Sequence, residues 1–280
     1  MSKKRIVVIC PGRGSYTRET SNYLKDYGAP INKSIQWMDD HRENQGLLSL
    51  TNLDRQNFKS RTHMVGENAS SLIYACSFSD FMSIDRNKYE IVSVLGNSMG
   101  WYTALVLSGA VSWKNGFHLV NTMGSMMKDE LIGAQMIYPI VDDEWNVDQN
   151  MKDLVMSELS TAGAYLSIDL GGFIVIGGDK STLKKLSKIL PVKDKYPLII
   201  PYHGAFHTPL LESISQSARK LIDPSIFNKP SIPLIDGTGK VWSPYASDPN
   251  QIMEYTLGHQ VQNTFDFTSS VTVALKEFCP

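Results

Sequence analysis

The fold is decided by residues 89–100, which read YEIVSVLGNSMG. The first seven positions are rich in Ile, Val and Leu, as expected for a strand buried in a parallel sheet. A Gly-x-Ser-x-Gly pentapeptide follows at once, and residues 99–109 are then rich in helix formers. This order predicts a strand, a sharp turn and a helix, with Ser98 on the turn.

Ser98 is a candidate nucleophile because of this turn. Glycines at positions 96 and 100 let the backbone crowd together without Cβ clashes. The hydroxyl would then stand at the N-terminus of a helix, where backbone N–H groups can stabilise an oxyanion. The pentapeptide alone also fits a tight turn with a serine cap. A catalytic serine further requires a histidine, because a hydroxyl is a weak nucleophile without a base.

Two of the six histidines lie just after a predicted strand at residues 197–201. They are His203 and His207, and a loop beyond the carboxyl end of a strand is where sites form in open α/β sheets. Either could be the base on this argument. Their spacing also fits a metal pair on a helix, but Gly204 and Pro209 disfavour a helix and no carboxylate lies nearby, so no metal site is expected.

The segment from 134 to 190 has a different pattern from the rest of the chain. It predicts a strand, a helix, two strands joined by a Gly-Gly turn, and a second helix. Their ranges are 134–141, 146–160, 164–168, 173–177 and 181–190. This order is most of a small split β-α-β module. We expect it to pack as an insert on the main sheet, which would begin at residues 5–10 and resume at 197–201.

Composition and charge exclude several classes of function. The 280 residues carry 27 Lys and Arg against 28 Asp and Glu, without a basic stripe, so nucleic-acid binding is not expected. The three cysteines, Cys10, Cys76 and Cys279, are too widely spaced for a disulfide framework or a zinc site. No run of eighteen apolar residues predicts a membrane helix. We therefore expect a cytoplasmic protein.

Four stretches together resemble the malonyl-CoA:acyl carrier protein transacylases and the acyltransferase domains of fatty acid and polyketide synthases. The matching stretches are PGRGS at 11–15, GNSMG at 96–100, FIVIGG at 173–178 and GAFHTPLL at 204–211. The family has PGQGS, GHSLG, the strand of a small subdomain and GAFHSPLM in the same order. The resemblance therefore spans nearly the whole chain.

The resemblance implies an α/β fold, with a hydrolase-like core, a mostly parallel sheet and a small ferredoxin-like inserted subdomain. The large catalytic domain would comprise residues 1–130 and 195–280, and the small subdomain residues 131–194. The implied reaction moves an acyl group from a coenzyme A thioester to the phosphopantetheine of an acyl carrier protein. No tightly bound cofactor is implied.

The family's functional residues fall on named positions of this chain. The nucleophile falls on Ser98 and the catalytic histidine on His207. The oxyanion would be held by the backbone N–H groups of Arg13 and Met99. The backbone carbonyl of Gln260 would hold the histidine ring, in place of the aspartate of an ordinary triad.

Departures from the family bear on the substrate. Met123 stands where the malonyl enzymes have an arginine that grips the carboxylate, and a thioether cannot pair with that charge. Burying it unpaired would cost on the order of several kcal/mol. Asn97 and Trp101 replace a histidine and a glutamate beside the nucleophile, which predicts a more apolar pocket. We expect an acyl group without a carboxylate, unless Arg13, in place of the family's glutamine, binds one from the other side.

Two other functions stay open on the sequence. An acyl-thioester hydrolase on the same scaffold would pass the acyl group to water. A non-catalytic homologue would only dock carrier proteins, but the joint retention of Ser98, His207 and Gln260 disfavours it.

Overall fold

Two β-sheets organise the chain, of which a computed structural model describes residues 2–280. The strands are β1 (Lys4–Cys10), β2 (Tyr89–Gly96), β3 (Ala134–Pro139), β4 (Tyr165–Asp169), β5 (Phe173–Gly178), β6 (Leu198–Ile199), β7 (Leu234–Ile235), β8 (Val241–Trp242) and β9 (Phe265–Asp266). One sheet has the order β1-β2-β7-β8 and the other has the order β6-β3-β5-β4-β9.

Helices surround both sheets. They are α1 (Tyr23–Tyr27), α2 (Asn32–Glu43), α3 (Leu50–Arg55), α4 (Ser60–His63), α5 (Gly66–Ser83), α6 (Gly100–Leu107), α7 (Trp113–Ser125), α8 (Gln149–Ala162), α9 (Lys180–Ile189), α10 (Glu212–Leu221), α11 (Pro249–Glu254), α12 (Gln260–Gln262) and α13 (Phe267–Phe278). Three 3-10 turns span Ala29–Ile31, Pro209–Leu211 and Pro224–Ile226, and a π-helical turn spans Tyr255–His259. Among the helices of residues 2–280, none combines the length and apolar character that a bilayer crossing requires.

The four-stranded sheet brings two turns to one of its edges. β2 pairs in parallel with β1 on one side and with β7 on the other, and β8 closes the sheet antiparallel to β7. The register sets Cys10 opposite Gly96, and the Asn97 N–H donates to the Cys10 carbonyl at 2.9 Å. The loops that follow β1 and β2 therefore meet at the carboxyl edge of the sheet. The mostly parallel sheet expected from the sequence is confirmed.

The five-stranded sheet contains a ferredoxin-like unit. In chain order β3, α8, β4, β5, α9 and β6 alternate as β-α-β-β-α-β, and in the sheet β6 lies beside β3, followed by β5 and β4. The structure corrects one expectation here, since residues 197–201 do not resume the main sheet. Leu198 and Ile199 pair antiparallel with β3, so the small unit extends past the predicted boundary at residue 194. The pairing satisfies backbone groups along the open edge of β3.

Helices α1 to α5 lie between β1 and β2. The first begins at Tyr23, directly after Asn22, which has a left-handed backbone with φ 67°. The longest of them, α5, has 18 residues.

A buried arginine joins the helices that form one wall of the site. Arg42 on α2 is fully buried, and its guanidinium donates to Asn68 Oδ1 on α5 at 2.6 Å and to Asn121 Oδ1 on α7 at 2.7 Å. It also donates from Nε to the Leu48 carbonyl at 2.6 Å. Each acceptor is neutral. Each hydrogen bond that the guanidinium donates offsets part of the cost of burying the cation.

Candidate active site

The turn after β2 leaves no room for side chains on its flanking residues. A Cβ at Gly96 would lie 2.2 Å from the Gly100 carbonyl carbon, and a Cβ at Gly100 would lie 2.2 Å from the Cys10 oxygen. Ser98 itself has φ 54°, a left-handed conformation that costs a non-glycine residue energy. The Gly100 N–H donates to the Asn97 carbonyl at 2.8 Å and closes the turn. The sequence-predicted elbow is therefore present.

Ser98 and His207 meet at this turn, although they lie far apart in the chain. Ser98 Oγ lies 2.7 Å from His207 Nε2, and His207 Nδ1 lies 2.5 Å from the Gln260 carbonyl oxygen. Because a carbonyl only accepts, Nδ1 carries the proton and Nε2 presents its lone pair to the serine hydroxyl. The expected serine, histidine and backbone carbonyl are thus in line.

Burial keeps the His207 ring neutral. The side chain is only 3% exposed, and this desolvation lowers the pKa of His207 to about 4, although the hydrogen bond to the Gln260 carbonyl acts in the opposite direction. At neutral pH the imidazole is unprotonated. It can therefore accept the serine proton as a general base.

The side chain of Gln260 is fixed from two sides. Its Nε2 donates to the Ser98 carbonyl at 3.1 Å, and its Oε1 accepts from the Tyr102 hydroxyl at 2.9 Å. The Ser98 carbonyl only accepts, so the amide has one orientation. Tyr102 lies on α6 and ties this network to the helix behind the nucleophile. The sequence alone assigned no role to Tyr102.

Two backbone N–H groups are free beside the nucleophile. Within residues 2–280, neither the Arg13 nor the Met99 N–H has a hydrogen-bond partner. The loop after β1 packs directly on the elbow, since a Cβ at Gly12 would lie 2.9 Å from the Asn97 oxygen. Met99 immediately precedes α6, whose N-terminal end carries a partial positive charge. Both donors can stabilise an oxyanion that forms on a carbonyl held at Ser98.

A largely apolar cavity of about 170 Å³ opens at Ser98. Apolar residues of α7, of β4 and β5 and of the segments after β4 and β6 form much of its wall: Val120, Met123, Ile168, Leu170, Val175 and Ile200. An apolar cavity of about 150 Å³ holds benzene. The space therefore suits a short acyl chain, and Asn97 and Met123 line it as expected.

Trp101 does not line this cavity, which corrects the expectation that it shapes the acyl pocket. Its side chain is fully buried in the core, where Nε1 donates to Thr256 Oγ1 at 3.0 Å and the ring packs edge-on against Tyr255. Successive helical residues point in different directions, so Tyr102 faces the site while Trp101 faces away.

The side chain of Arg13 forms part of the cavity mouth. Its Nη2 donates to the Tyr202 carbonyl at 3.0 Å, and the guanidinium lies 4.8 Å from the centre of the Phe206 ring. Burial lowers the pKa of Arg13 to about 10, so the group stays cationic at neutral pH. Among residues 2–280 no carboxylate forms a salt bridge with it.

A second cavity of about 390 Å³ adjoins the first and shares Arg13 and Met123 with it. Arg61 and Lys128 also line this second cavity, against one carboxylate, Glu67. Cations therefore outnumber anions along its wall, which favours an anionic ligand.

The second histidine of the loop has a different partner. His203 also lines the first cavity, but its Nδ1 lies 2.8 Å from Gln135 Oε1 rather than near Ser98. The geometry thus selects His207 of the two candidate bases. Sequence reasoning gave Gln135 no role, and the only signal was an amide within the apolar run of β3. Within residues 2–280, no three His, Cys, Asp or Glu side chains are grouped so as to hold a metal ion.

Comparisons of sequence find relatives among acyltransferases, although no family model matches the chain. The malonyl CoA-acyl carrier protein transacylase PksC of polyketide biosynthesis in Bacillus subtilis is 24% identical over 186 residues, which cover 66% of this chain and 61% of that protein. A non-reducing polyketide synthase of Trichophyton equinum is 24% identical over 190 residues, which cover 66% of this chain and 10% of the synthase. The matched part is thus less than two thirds of either relative.

Solved structures share the fold along almost the whole chain. An acyl-carrier-protein S-malonyltransferase from Burkholderia pseudomallei matches with a TM-score of 0.75 and 20% identity, over 98% of this chain and 86% of that chain. A malonyl-transacylase, solved in complex with a type II polyketide synthase acyl-carrier protein, matches with a TM-score of 0.77 and 17% identity, over 99% and 86% of the two chains. The resemblance drawn from the sequence and the fold class are confirmed.

The neutral state of His207 predicts how reactivity depends on pH. A fluorophosphonate probe should modify Ser98 at a constant rate between about pH 6 and about pH 8, because the base is already unprotonated throughout this range. The rate should fall only as the pH approaches the His207 pKa of about 4, where the ring gains a proton. The rate is measured at each pH by quenching the reaction at set times and determining the modified fraction by mass spectrometry. If the labelling rate fell with a midpoint near the ordinary histidine pKa of about 6.5, this would contradict the effect of burial on His207.

Proposed function

We propose that this chain is an acyl-CoA:acyl carrier protein S-acyltransferase that works by a ping-pong, acyl-serine mechanism on an acyl group without a free carboxylate. The observation that carries the proposal is the 2.7 Å contact between Ser98 Oγ and His207 Nε2, at the opening of an apolar cavity. A serine placed in this way is an activated nucleophile, and the cavity beside it suits the acyl chain.

In the first half-reaction, Ser98 Oγ attacks the thioester carbonyl carbon while His207 Nε2 takes the hydroxyl proton. The carbonyl oxygen gains the negative charge and lies between the N–H groups of Arg13 and Met99, each of which contributes about 3 kcal/mol to lowering the barrier. The carbon–sulfur bond then breaks, and the coenzyme A thiolate takes the proton from His207. An ester of Ser98 remains.

In the second half-reaction, the phosphopantetheine thiol of a carrier protein attacks the ester. His207 takes the thiol proton and returns it to Ser98 Oγ as the carbon–oxygen bond breaks. The carbonyl of Gln260 stabilises the imidazolium through Nδ1–H in both halves. This role belongs to a carboxylate in an ordinary triad, and here a neutral acceptor performs it.

The acyl group is assigned from the wall of the cavity. Met123 offers a thioether at the position where the resembled malonyl enzymes have an arginine, and its neighbours Val120 and Ile200 are apolar. A free carboxylate there would lose its hydration without gaining a cation. Acetyl and longer unsubstituted chains avoid this cost.

The acceptor is assigned from the relatives and from charge. Relatives in sequence and in fold are named as acyl carrier protein transacylases, and one was solved with its carrier protein. The adjoining cavity carries Arg13, Arg61 and Lys128, which suit the phosphate of a pantetheine arm or of coenzyme A. This support favours a carrier protein over a free small-molecule thiol.

Intact-protein mass spectrometry after incubation with a panel of acyl-CoAs tests the proposal. Acetyl-, butyryl- and hexanoyl-CoA should each add their acyl mass to the wild-type protein, and the added mass should be absent from Ser98→Ala. Addition of a holo acyl carrier protein should then move the acyl group to the carrier. Malonyl-CoA should give little adduct, because Met123 offers its carboxylate no cation at the position where the resembled malonyl enzymes have an arginine.

The same experiment distinguishes the rival functions. Release of free acid at the same rate with and without the carrier would identify a hydrolase and contradict acyl transfer. An adduct that persists in Ser98→Ala, or no adduct from any thioester, would contradict the acyl-serine mechanism altogether.

Met123→Arg should change the acyl preference. A guanidinium at this position supplies the charge-assisted pair that a carboxylate needs, so acylation by malonyl-CoA should rise about tenfold or more relative to butyryl-CoA. The ratio of the two acylation rates, measured by mass spectrometry on one mixture of thioesters, gives the result directly.

Met123→Leu is the matched control, because it preserves size and apolar character and should leave the ratio unchanged. Arg13→Gln tests the cation that the wild-type protein has at the cavity mouth. A wild type that accepts malonyl-CoA as readily as butyryl-CoA, and loses this ability in Arg13→Gln, would show that Arg13 binds a carboxylate and would overturn the assigned acyl class.

A further inference from the structure

His203 is a second imidazole on the wall of the catalytic cavity, and the acyl-transfer steps do not use it. It follows β6 in the same loop as His207, four residues earlier in the chain. Its hydrogen bonds determine which ring nitrogen carries the proton.

A chain of hydrogen bonds starts from an atom that can only accept. The Phe206 carbonyl accepts from Ser167 Oγ at 2.8 Å, so the single hydroxyl proton of Ser167 is used there. Gln135 lies 2.6 Å from the same Ser167 Oγ and must therefore donate to it through Nε2. The other end of that amide, Oε1, faces His203 Nδ1 at 2.8 Å and must accept. The proton of His203 thus lies on Nδ1.

The ring of His203 is also neutral. Burial is the main cause that holds the pKa of His203 well below its usual range, and the Arg13 cation and the His207 ring act in the same direction. A neutral imidazole with its proton on Nδ1 has a bare lone pair on Nε2. This atom is an acceptor that cannot become a donor by rotating or by exchanging its tautomer.

His203 Nε2 has no hydrogen-bond partner within residues 2–280. It is not among the fully enclosed polar atoms that lack a partner, namely Ser93 Oγ, Asn97 Oδ1, Thr103 Oγ1 and Ser125 Oγ. Nε2 is therefore not fully enclosed, and His203 is one of the residues that line the cavity. Ile137 and Ile200 lie on the same cavity wall and offer it no donor. An apolar ligand that fills the space would leave this acceptor desolvated and unpaired, which is costly.

We propose that His203 Nε2 accepts a hydrogen bond from a hydroxyl group on the acyl chain, so that hydroxyacyl thioesters are the preferred substrates. This inference rests on the proposed acyl transfer and narrows its substrate class. A cationic donor is disfavoured because Arg13 lies close by. The pantetheine arm is disfavoured because the adjoining cationic cavity, which suits its phosphate, is not lined by His203. Hydroxyl groups are neutral donors that fit beside an apolar chain.

A matched pair of thioesters measures this preference. Butyryl-CoA is compared with 2-hydroxybutyryl-CoA and 3-hydroxybutyryl-CoA, and the readout is the rate at which each acylates Ser98. The better hydroxyacyl thioester should react about tenfold faster than butyryl-CoA, which is the worth of one neutral hydrogen bond. In His203→Leu the two rates should become equal, chiefly because the hydroxyacyl rate falls. His118→Leu is the control, since His118 is exposed on α7 and outside the cavity.

Nitrogen-15 resonances of labelled histidine provide a readout that does not need the variant to fold. Nε2 of His203 in the wild-type protein should shift when Ser98 carries the hydroxyacyl group, and should stay in place when it carries butyryl. An equal reduction of both rates in His203→Leu would put the donor on the common thioester arm and overturn the inference. Discrimination below about twofold in the wild type would do the same. Failure of every thioester to acylate Ser98 would instead remove the proposed function.

Discussion

The structure depends on the sharp turn that joins β2 to α6. Only glycine fits at positions 96 and 100, because a Cβ at either position would lie 2.2 Å from backbone atoms. Ser98, between these glycines, has a left-handed backbone, as in the sharp strand-to-helix turns that expose a serine hydroxyl. The Ser98 hydroxyl lies beside the free N–H groups of Arg13 and Met99, the N-terminal end of α6 and the cavity. The strained backbone of Ser98 is held by the parallel pairing of β1 and β2, which end in register at Cys10 and Gly96.

His207 and Gln260 come to this turn from distant parts of the chain. His207 also has a left-handed backbone, at φ 57°, so two strained residues face each other. Their arrangement is maintained by hydrogen bonds to backbone carbonyls, which can only accept. Gln260 is held by the Ser98 carbonyl and by Tyr102, and its own carbonyl fixes the proton on His207. A backbone oxygen replaces a carboxylate here, which keeps the buried base neutral and the site free of a second charge.

The sequence was most informative where the pattern is local. The run of Ile and Val before the Gly-x-Ser-x-Gly turn predicts both β2 and the elbow, because strand and turn chemistry act over a few residues. Residues 198–199 were assigned to the wrong sheet, since an isolated apolar pair has no preference that identifies its partner strand. Trp101 was assigned to the pocket because it is close to Ser98 in the sequence. Closeness in sequence does not show in which direction the side chain of a helical residue points. Gln135 was missed because its partner, His203, is distant in the chain.

Met123, Arg13 and His203 all line the cavity beside Ser98. The proposed acyl preference depends on these three side chains. Met123 offers a thioether, Arg13 a cation at the mouth, and His203 an acceptor whose tautomer is set by Gln135. We therefore propose a reaction centre of the transacylase type beside an acyl pocket that suits uncharged chains. The most direct test of the whole account is peptide mapping after fluorophosphonate treatment of the wild type and of His207→Ala. The account predicts a single modified residue, Ser98, in the wild type and almost none in the variant, whereas modification elsewhere, or equal modification of Ser98 in both proteins, would contradict it.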